Sequence, residues 1–361
     1  MPESRLGLSA GDWVEVRSKE EILATLDRHG RLGQLPFMPE MFAFCGRRYQ
    51  VQARAHKTCD TVNRTGGRHV EAAVHLEGLR CDGSAHDGCQ ALCLLFWKEA
   101  WLTRVDGPDG SRPPSQPASG RPSAGASESD VIAATRTTGT EGAPIYMCQA
   151  TTLPEYTTLL PWWDMRQYIE DYTSGNVTVR RMINGAAYVC FRKFVNGVGR
   201  FSPPMASRIV GVYDRWQRAK GGVPYPRRWG AVPPGEKTPS RPLYLQPGEL
   251  VQVRSYEEIL ATLDRNNKNR GLYFDAEEVP YCGQTFRVRS PVTRIIDERT
   301  GRMLHFNERN VILEGAICEA RYSDRRMFCP RAIYPYWRET WLKRVEEPAV
   351  PTGGTTDHGR S

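Results

Sequence analysis

The sequence predicts a mainly β protein with additional α-helix, in which two tandem SH3-like small β-barrels flank a helical central region. Two observations lead to this prediction. The chain carries two copies of a segment of about one hundred residues, the size of one small domain. Each copy holds several short runs of alternating apolar residues and one short helical stripe, a pattern typical of compact, strongly bent sheets.

The duplication is clearest near the start of each copy. GDWVEVRSKEEILATLDR, from Gly11 to Arg28, and GELVQVRSYEEILATLDR, from Gly248 to Arg265, are identical at 14 of 18 positions. The offset of 237 residues between them continues to Cys45 and Cys282. After a length difference of three residues, FWKEAWLTRV in the first copy matches YWRETWLKRV in the second. We therefore treat the two copies as tandem repeats.

Each repeat contains signals for strands and for one helix. VEV and VQV open the repeats with alternating apolar residues, which predicts a half-buried strand. Ser18 and Ser255 stand three residues before Glu21 and Glu258, the capping-box arrangement that begins a helix. Later runs, AVHLEGL and NVILEGA, predict further strands. The tryptophans of FWKEAW and YWRETW are expected in the cores of the two repeats.

The sequence divides into four predicted parts. Residues 107–142 are crowded with Pro, Gly, Ser and Thr and cannot bury enough apolar area to offset the entropy of ordering, which predicts a disordered linker. Beyond the linker, helices are expected up to about Tyr172 and from Val177 to Val198. The predicted domains are a first SH3-like repeat at 8–106, the linker at 107–142, a basic helical centre at 143–235 and a second SH3-like repeat at 245–347.

Four cysteines of the first repeat are predicted metal ligands: Cys59, Cys81, Cys89 and Cys93. Their spacing is C-x21-C-x7-C-x3-C, and the glycines of CDGSAHDGC allow the backbone to wrap closely around a bound group. Four thiolates suit either zinc or an iron–sulfur cluster. The alternative is that the thiols are buried and only pack as small hydrophobic groups. His86, in the same loop, is a reserve ligand.

Comparison of the repeats suggests that only the first keeps the complete set of four cysteines. The aligned pairs are Cys81 with Cys318, Cys89 with Cys329, Cys59 with Ile296, and Cys93 with Ile333. Two thiols replaced by isoleucine indicate a site that has lost its metal and filled the space with hydrocarbon. A second interpretation is that the two cysteines of the second repeat pack near the first repeat's site and contribute ligands across the interface.

The charge of the chain is concentrated in its centre. Lys and Arg number 49 against 41 Asp and Glu, a net charge of +8. Between Tyr172 and Gly230 the chain carries eleven basic residues and one acidic residue, Asp214. This segment, residues 172–230, is therefore a candidate contact for an anionic surface, either nucleic acid or membrane, although a solvated basic face would have the same composition.

Composition and motifs exclude several classes of protein. No run approaches the roughly 18 apolar residues of a membrane span. The N-terminal residues contain no apolar segment of signal-peptide length, so we expect a cytoplasmic protein with reduced thiols. The sequence also has no phosphate-binding glycine loop, nucleophile elbow, H-E-x-x-H motif or dinucleotide fingerprint.

The blocks HKTCDT, RCDGSAHDGCQALC, LPWWDMRQYIEDYTSGNV and CPRAIYPYWRETWLKRV occur in this order along the chain. In these blocks the chain resembles an uncharacterised bacterial family, over most of its length apart from the linker. The resemblance implies that both repeats and the centre form one unit, and it implies no activity.

The leading functional hypothesis is a cytosolic bacterial metalloprotein that binds an iron–sulfur cluster or zinc through the four cysteines of the first repeat. A cluster would allow redox or biosynthetic chemistry on a small-molecule substrate, whereas zinc held by four thiolates would be structural. The alternative hypothesis is a binding or scaffold module. Its SH3-like repeats would recognise a protein partner, and its basic central helix would contact nucleic acid or an anionic membrane surface.

Overall fold

The computed structural model describes residues 6–109, 125–139, 142–323 and 325–345. Short strands and short helices alternate along the first repeat. Its elements are β1 (Trp13–Val16), α1 (Lys19–Leu23), β2 (Arg31–Leu32), β3 (Leu35–Pro36), a 3₁₀ helix (Pro39–Phe44), β4 (Arg48–Arg54), β5 (Lys57–Cys59), β6 (Gly67–Val70), β7 (Ala73–Leu76), β8 (Trp97–Lys98), a second 3₁₀ helix (Glu99–Trp101) and β9 (Leu102–Val105).

The central region contains most of the helical residues. Its elements are α2 (Glu128–Ala133), β10 (Arg136–Thr138), β11 (Pro144–Tyr146), α3 (Leu153–Tyr156), β12 (Thr157–Leu160), α4 (Arg166–Thr173), α5 (Val179–Phe201) and α6 (Pro203–Ala219). Helices α4 and α5 agree with the two helices expected from the sequence. Helix α6, which packs against α5, was not predicted.

The prediction of a disordered linker over 107–142 is wrong for most of the residues in this range that the structure describes. Residues 110–124 and 140–141 lie outside the described residues. Helix α2 begins with a capping box between Ser127 and Asp130, and its Val131 is buried against the core of the first repeat. Strand β10 pairs with β11. Two small apolar side chains, Ala126 and Val131, and one capping pair therefore dock this polar segment.

The second repeat repeats the order of elements in the first. Its elements are β13 (Leu250–Val253), α7 (Tyr256–Leu260), β14 (Lys268–Asn269), β15 (Leu272–Tyr273), a 3₁₀ helix (Val279–Tyr281), β16 (Thr285–Ile296), β17 (Met303–Leu313), β18 (Trp337–Arg338), a second 3₁₀ helix (Glu339–Trp341) and β19 (Leu342–Arg344).

Each repeat is built on a five-stranded antiparallel sheet with the same strand order. The order is β8-β7-β4-β1-β9 in the first repeat and β18-β17-β16-β13-β19 in the second. In both sheets the last strand therefore returns to pair with the first. Among the described residues no pairing joins the two edge strands, so the hydrogen-bonded sheets are not closed. The protein is thus a mixture of mostly antiparallel sheets and helices, as the coarser prediction states.

The predicted helix caps and tryptophan cores are confirmed in both repeats. Ser18 with Glu21, and Ser255 with Glu258, form capping boxes at the starts of α1 and α7. The four tryptophans of the two repeats are fully buried: Trp97, Trp101, Trp337 and Trp341. A buried carboxylate also fixes the segment before the first strand of each repeat. The Glu99 carboxylate accepts a hydrogen bond from the backbone amide of Leu8, and the Glu339 carboxylate accepts one from the backbone amide of Leu245.

A hairpin arm extends from each sheet toward the other repeat. Strands β16 and β17 form one continuous arm, and irregular register next to Val292 bends it. In the first repeat the arm is the β5–β6 hairpin, which joins β12 of the central region in a separate three-stranded sheet. The arms end at Cys59 and Ile296, two positions that the repeat alignment makes equivalent. The arms therefore place these two residues at the junction of the repeats.

Candidate metal centre

The loop between β7 and β8 folds back on itself and gathers three of the predicted ligands. The amide of Cys81 donates to the carbonyl of Cys93 at 2.8 Å, which closes the base of the loop. Within the loop, the amide of His86 donates to the carbonyl of Gly83 at 2.9 Å. Gly83 has a φ of +74°, and a Cβ there would lie 2.0 Å from the carbonyl oxygen of Cys89. Only glycine allows this close approach.

Three different donor atoms meet between this loop and the first 3₁₀ helix. Glu40, Cys81 and His86 each offer one ligand atom, and these atoms lie within 4.8 Å of one another. His86 Nδ1 is 3.2 Å from Glu40 Oε1, and the Cys81 thiol donates to the same oxygen at 3.6 Å. The side chains of Glu40 and His86 are only 3% and 1% exposed. A carboxylate, a thiol and an imidazole are all groups that zinc accepts as ligands.

The second carboxylate oxygen of Glu40, Oε2, is buried and has no hydrogen-bond partner. Burial acts to raise the pKa of Glu40, but the hydrogen bond and charge of His86 and nearby backbone amides lower it overall. The side chain is therefore an anion with one unsatisfied oxygen. Leaving a buried acceptor unpaired costs about 1–3 kcal/mol, which a bound cation would offset.

A cavity of about 40 Å³ lies beside these donors. Its walls come from both repeats and from the central region, and the thiols of four cysteines line it. The residues that define it are Cys81, Cys89, Cys93, Cys148, Ile296 and Glu298, together with His86 and Arg331. A space of this size holds one ion or a few water molecules.

Burial raises the pKa of each thiol that lines the cavity. The pKa of Cys93 rises to about 12, with burial as the main cause and the carboxylate of Glu298 as the next. Burial likewise raises the pKa of Cys81, Cys89 and Cys148. These thiols keep their protons at neutral pH unless a cation coordinates the sulfur and displaces the proton.

The structure separates Cys59 from the other three predicted ligands. Cys59 packs with Cys318 and Cys329 of the second repeat, and its backbone amide donates to the Cys329 sulfur at 3.1 Å. Cys81, Cys89 and Cys93 line the cavity together. Cys318 and Cys329 contact Cys59 but do not line the cavity with Cys81, Cys89 and Cys93, so the interpretation in which they contribute ligands to the first repeat's site stays a prediction.

The two repeats exchange their arms in equivalent ways. The amide of Ile296 donates to the Cys89 sulfur at 3.3 Å, just as the amide of Cys59 donates to Cys329. The closing hydrogen bond of the first cysteine loop also has a counterpart, because the amide of Cys318 donates to a carbonyl at 2.7 Å. Ile296, from the arm of the second repeat, therefore completes the group of Cys81, Cys89 and Cys93. Cys59, from the arm of the first repeat, completes the group of Cys318 and Cys329.

Arg331 lies between the two groups of cysteines and is 2% exposed. Its guanidinium donates to Thr61 Oγ1 at 2.7 Å and to Glu298 Oε1 at 3.1 Å. Thr61 and Glu298 are equivalent positions of the two arms, and the threonine hydroxyl also donates to the glutamate. The junction of the repeats is thus held by one buried cation that binds both arms.

Sequence reasoning missed Glu40, Cys148, Glu298 and Arg331. Glu40 carried a usable signal, because the second repeat has Glu277 at the equivalent position. Both acids are buried. The Glu277 carboxylate accepts hydrogen bonds from two backbone amides, those of Arg321 and Tyr322 in the cysteine-containing loop of the second repeat, at 2.7 and 2.6 Å. An acidic residue kept in both repeats among apolar neighbours indicates a buried carboxylate with a fixed partner.

The other histidine of the cysteine-rich segment has a different environment. His56 Nε2 lies 3.2 Å from Asp171 of α4, and the neighbouring Lys57 is 2.5 Å from the same carboxylate. All three side chains are at most 3% exposed. They fasten the arm of the first repeat to the central region, so His56 is not a ligand at the cavity.

A second concave surface is formed by α5, α6, the chain that follows them and part of the second repeat, with a volume of about 990 Å³. We call it the arginine groove. Its arginines are Arg192, Arg200, Arg227, Arg228 and Arg265. Among the described residues that line the groove, Asp214 is the only acid, and it pairs with Arg228. Trp229, also in the lining, is 72% exposed.

Comparison with known proteins gives no relative from which a function could be transferred. No family model matches the chain, and no curated protein shows significant similarity to it. Within the described ranges, no helix is both long enough and apolar enough to cross a membrane. The functional interpretation therefore depends on the geometry of the chain's own residues.

Proposed function

We propose that this chain is a metal-binding protein whose centre is formed by Glu40, Cys81 and His86, with Cys89 and Cys93 beside them. The observation that carries the proposal is the meeting of three different donor atoms within 4.8 Å in the protein interior. The unpartnered Oε2 of Glu40 adds a second, independent reason, because a buried anionic oxygen without a donor is stabilised by a cation.

A single ion of the zinc class fits the site better than an iron–sulfur cluster does. Cys59, the fourth thiolate of the sequence-based hypothesis, lies with Cys329 instead. Cys148 brings the thiols that line the cavity to four, but the three donor atoms that meet within 4.8 Å are an oxygen, a sulfur and a nitrogen, whereas a cluster is held by thiolates. The cavity of about 40 Å³ admits roughly three water-sized spheres. Mixed oxygen, nitrogen and sulfur donors are typical of zinc.

The surroundings support a structural role for the ion. Coordination by Cys81 and Glu40 would fasten the cysteine loop to the first 3₁₀ helix, next to the junction with the second repeat. Structural zinc contributes its binding free energy directly to folding. Redox or biosynthetic chemistry on a small substrate, the broader hypothesis from the sequence, would need more space than this cavity has.

Metal analysis of purified protein tests the proposal. We expect one zinc per chain in the wild type, and at least about tenfold weaker zinc affinity in Glu40→Gln and in His86→Gln. Cys282→Ser is a matched control, because this thiol packs against the second repeat's core away from the donors. Visible absorption after anaerobic purification would identify a cluster instead. A wild type that neither contains nor takes up metal would contradict the proposal.

A second function, the binding of single-stranded nucleic acid, is supported by the arginine groove. Guanidinium groups pair with phosphates, and an exposed tryptophan such as Trp229 offers a face on which a base can stack. A concave groove suits a strand better than it suits a membrane surface, which binds the flat apolar face of an amphipathic helix. Titration with a labelled oligonucleotide and with anionic vesicles separates these two ligands.

We infer further that both repeats are SH3-like domains in a cytoplasmic protein. The shared strand order, with the last strand beside the first, and the bend in β16 support five short strands curved around a tryptophan core. All ten cysteines are free thiols, which suits the reducing cytoplasm.

A further inference from the structure

Cys59 and Cys329 belong to different repeats and touch in the protein interior. The backbone amide of Cys59 donates to the Cys329 sulfur at 3.1 Å, and both residues belong to one buried cluster. The residues are 5% and 9% exposed. Cys318 and Ala320 pack against the pair. Two cysteine residues that already touch can form a disulfide with little movement of the backbone.

The environment of the pair favours a thiolate on one side and a thiol on the other. The hydrogen bond from Cys329 is the largest influence on Cys59 and, with the charges of Arg331 and Arg326, lowers its pKa to about 5 in spite of burial. The same hydrogen bond raises the pKa of Cys329. A thiolate is the nucleophilic form of cysteine, and an adjacent thiol is what resolves its oxidised product.

A cavity of about 150 Å³ is lined by Cys329 and Cys318 but not by Cys59, so a molecule that enters it must pass Cys329 to reach the Cys59 sulfur. Asn176, Arg181 and Glu319 line it and are half-buried, so the cavity opens toward solvent. Its volume admits a molecule of the size of hydrogen peroxide but not a peptide disulfide. The oxidant that this geometry fits is therefore a small hydroperoxide.

The equivalent place in the other half of the molecule lacks the second sulfur. Ile296 takes the position of Cys59 there, and its amide donates to the Cys89 sulfur at 3.3 Å. The backbone arrangement is the same, but a hydrocarbon side chain stands where the partner thiol would be. Cys89 therefore makes the same backbone contact as Cys329 without a thiol at the position that corresponds to Cys59.

We propose that Cys59 and Cys329 are a redox-active dithiol that a small hydroperoxide oxidises to a disulfide joining the two repeats. The Cys59 thiolate attacks one oxygen of hydrogen peroxide, the O–O bond breaks, and Cys59 becomes a sulfenic acid as hydroxide leaves. The Cys329 sulfur then attacks the sulfenic sulfur. The S–S bond forms, the S–O bond breaks, and the hydroxyl leaves with the Cys329 proton as water.

The overall change is balanced and needs no further reagent. Two thiols lose two electrons and two protons, and the peroxide is reduced to two molecules of water. A dithiol reductant reverses the change by thiol–disulfide exchange. The reaction uses none of Glu40, Cys81 and His86, so its outcome is independent of the metal-binding proposal.

Peptide mapping after graded exposure to hydrogen peroxide tests the proposal. In the wild type, two of the ten thiols should escape alkylation, and one disulfide should connect the Cys59 and Cys329 peptides. Cys282→Ser, which alters a thiol packed against the core of the second repeat, should behave like the wild type. Cys329→Ser should stop at a sulfenic acid on Cys59 that dimedone traps, and Cys59→Ser should form neither product.

Peptide mapping of the wild type alone can overturn the proposal, so the test does not depend on whether the serine variants fold. If Cys59 and Cys329 remain alkylatable after other thiols have been oxidised, the pair is not redox-active. If the first disulfide joins Cys329 to Cys318, or joins cysteines of different chains, the assignment of the pair is wrong.

Discussion

The amide nitrogen of Ile296 lies 3.3 Å from the sulfur of Cys89, so the arm of the second repeat closes over the cysteine loop of the first. The arm of the first repeat does the same to the second, through Cys59 and Cys329. Neither cysteine loop is complete without the other repeat. The duplicated domains therefore depend on each other for folding, in contrast to two independent domains joined by a linker.

Arg331 is predicted to be the most sensitive single position at this junction. Arg331→Met removes the donor to Thr61 and leaves the partly buried Glu298 without its cation, which should lower the free energy of unfolding by about 1–3 kcal/mol. Urea unfolding followed by tryptophan fluorescence measures the change. The double variant Arg331→Met with Glu298→Gln should recover part of the loss, because it removes the unpaired charge. Equal losses in the single and double variants would contradict this account.

Removal of the metal is predicted to destabilise the wild type and to have a smaller effect on a variant that binds it more weakly. A ligand present at 100 times its Kd stabilises the folded state by about 2.7 kcal/mol. Chelation should therefore lower the Tm of the wild type, and added zinc should restore it. Glu40→Gln, which should bind zinc at least about tenfold more weakly, should show a smaller change of Tm in both treatments. The same chelator response in Glu40→Gln and the wild type would show that any metal binds elsewhere.

Stability is predicted to fall as the solution is acidified, because of His75. The ring is fully buried, with Nδ1 2.9 Å from the carbonyl oxygen of Leu95, and burial lowers its pKa to about 4. In the unfolded chain the pKa is about 6.5. Between these values the unfolded chain binds more protons than the folded one, so stability decreases as the pH falls from about 6.5 to about 4. The loss attributable to this residue is roughly 3 kcal/mol.

The variant His75→Ile isolates this effect, because Ile312 occupies the equivalent position in the second repeat. Denaturant unfolding at pH 7 and at pH 5 should show a smaller decrease for the variant than for the wild type. Parallel pH profiles for the two proteins would mean that His75 is not the group responsible.

Local patterns were sufficient to predict much of the fold. The capping boxes at Ser18 and Ser255 depend on residues three positions apart, and the alternation of VEV or VQV depends on neighbours, so both are readable from short windows. Helix α6 was missed because it begins at Pro203 and Pro204. Proline ends a helix when it lies inside one but suits the first turn, where no amide hydrogen bond is lost.

The membership of the candidate site could be predicted only in part, because it depends on how the repeats pack. Cys81, Cys89 and Cys93 are close in sequence and lie on one loop. Cys59 was grouped with them because it belongs to the same repeat, but the exchange of arms carries it to the second repeat's cysteines. No local pattern encodes such an exchange. Glu40 is the exception, since alignment with Glu277 of the second repeat would have been enough to find it.

The last prediction concerns the arginine groove. Arg200 and Arg265 are exposed on its lining, and Arg28, the counterpart of Arg265 in the first repeat, does not line the groove. Arg200→Gln with Arg265→Gln should weaken binding of a labelled single-stranded 20-mer.

The salt dependence provides the decisive measurement. Each phosphate contact on a single strand contributes about 0.7 to the slope of log K against log salt, so the double variant should lower the slope by about 1.4. Arg28→Gln should leave both affinity and slope unchanged, because it alters net charge without altering the groove. Equal weakening by Arg28→Gln would show that binding follows overall charge. Binding to anionic vesicles in the absence of oligonucleotide binding would assign this basic surface to a membrane.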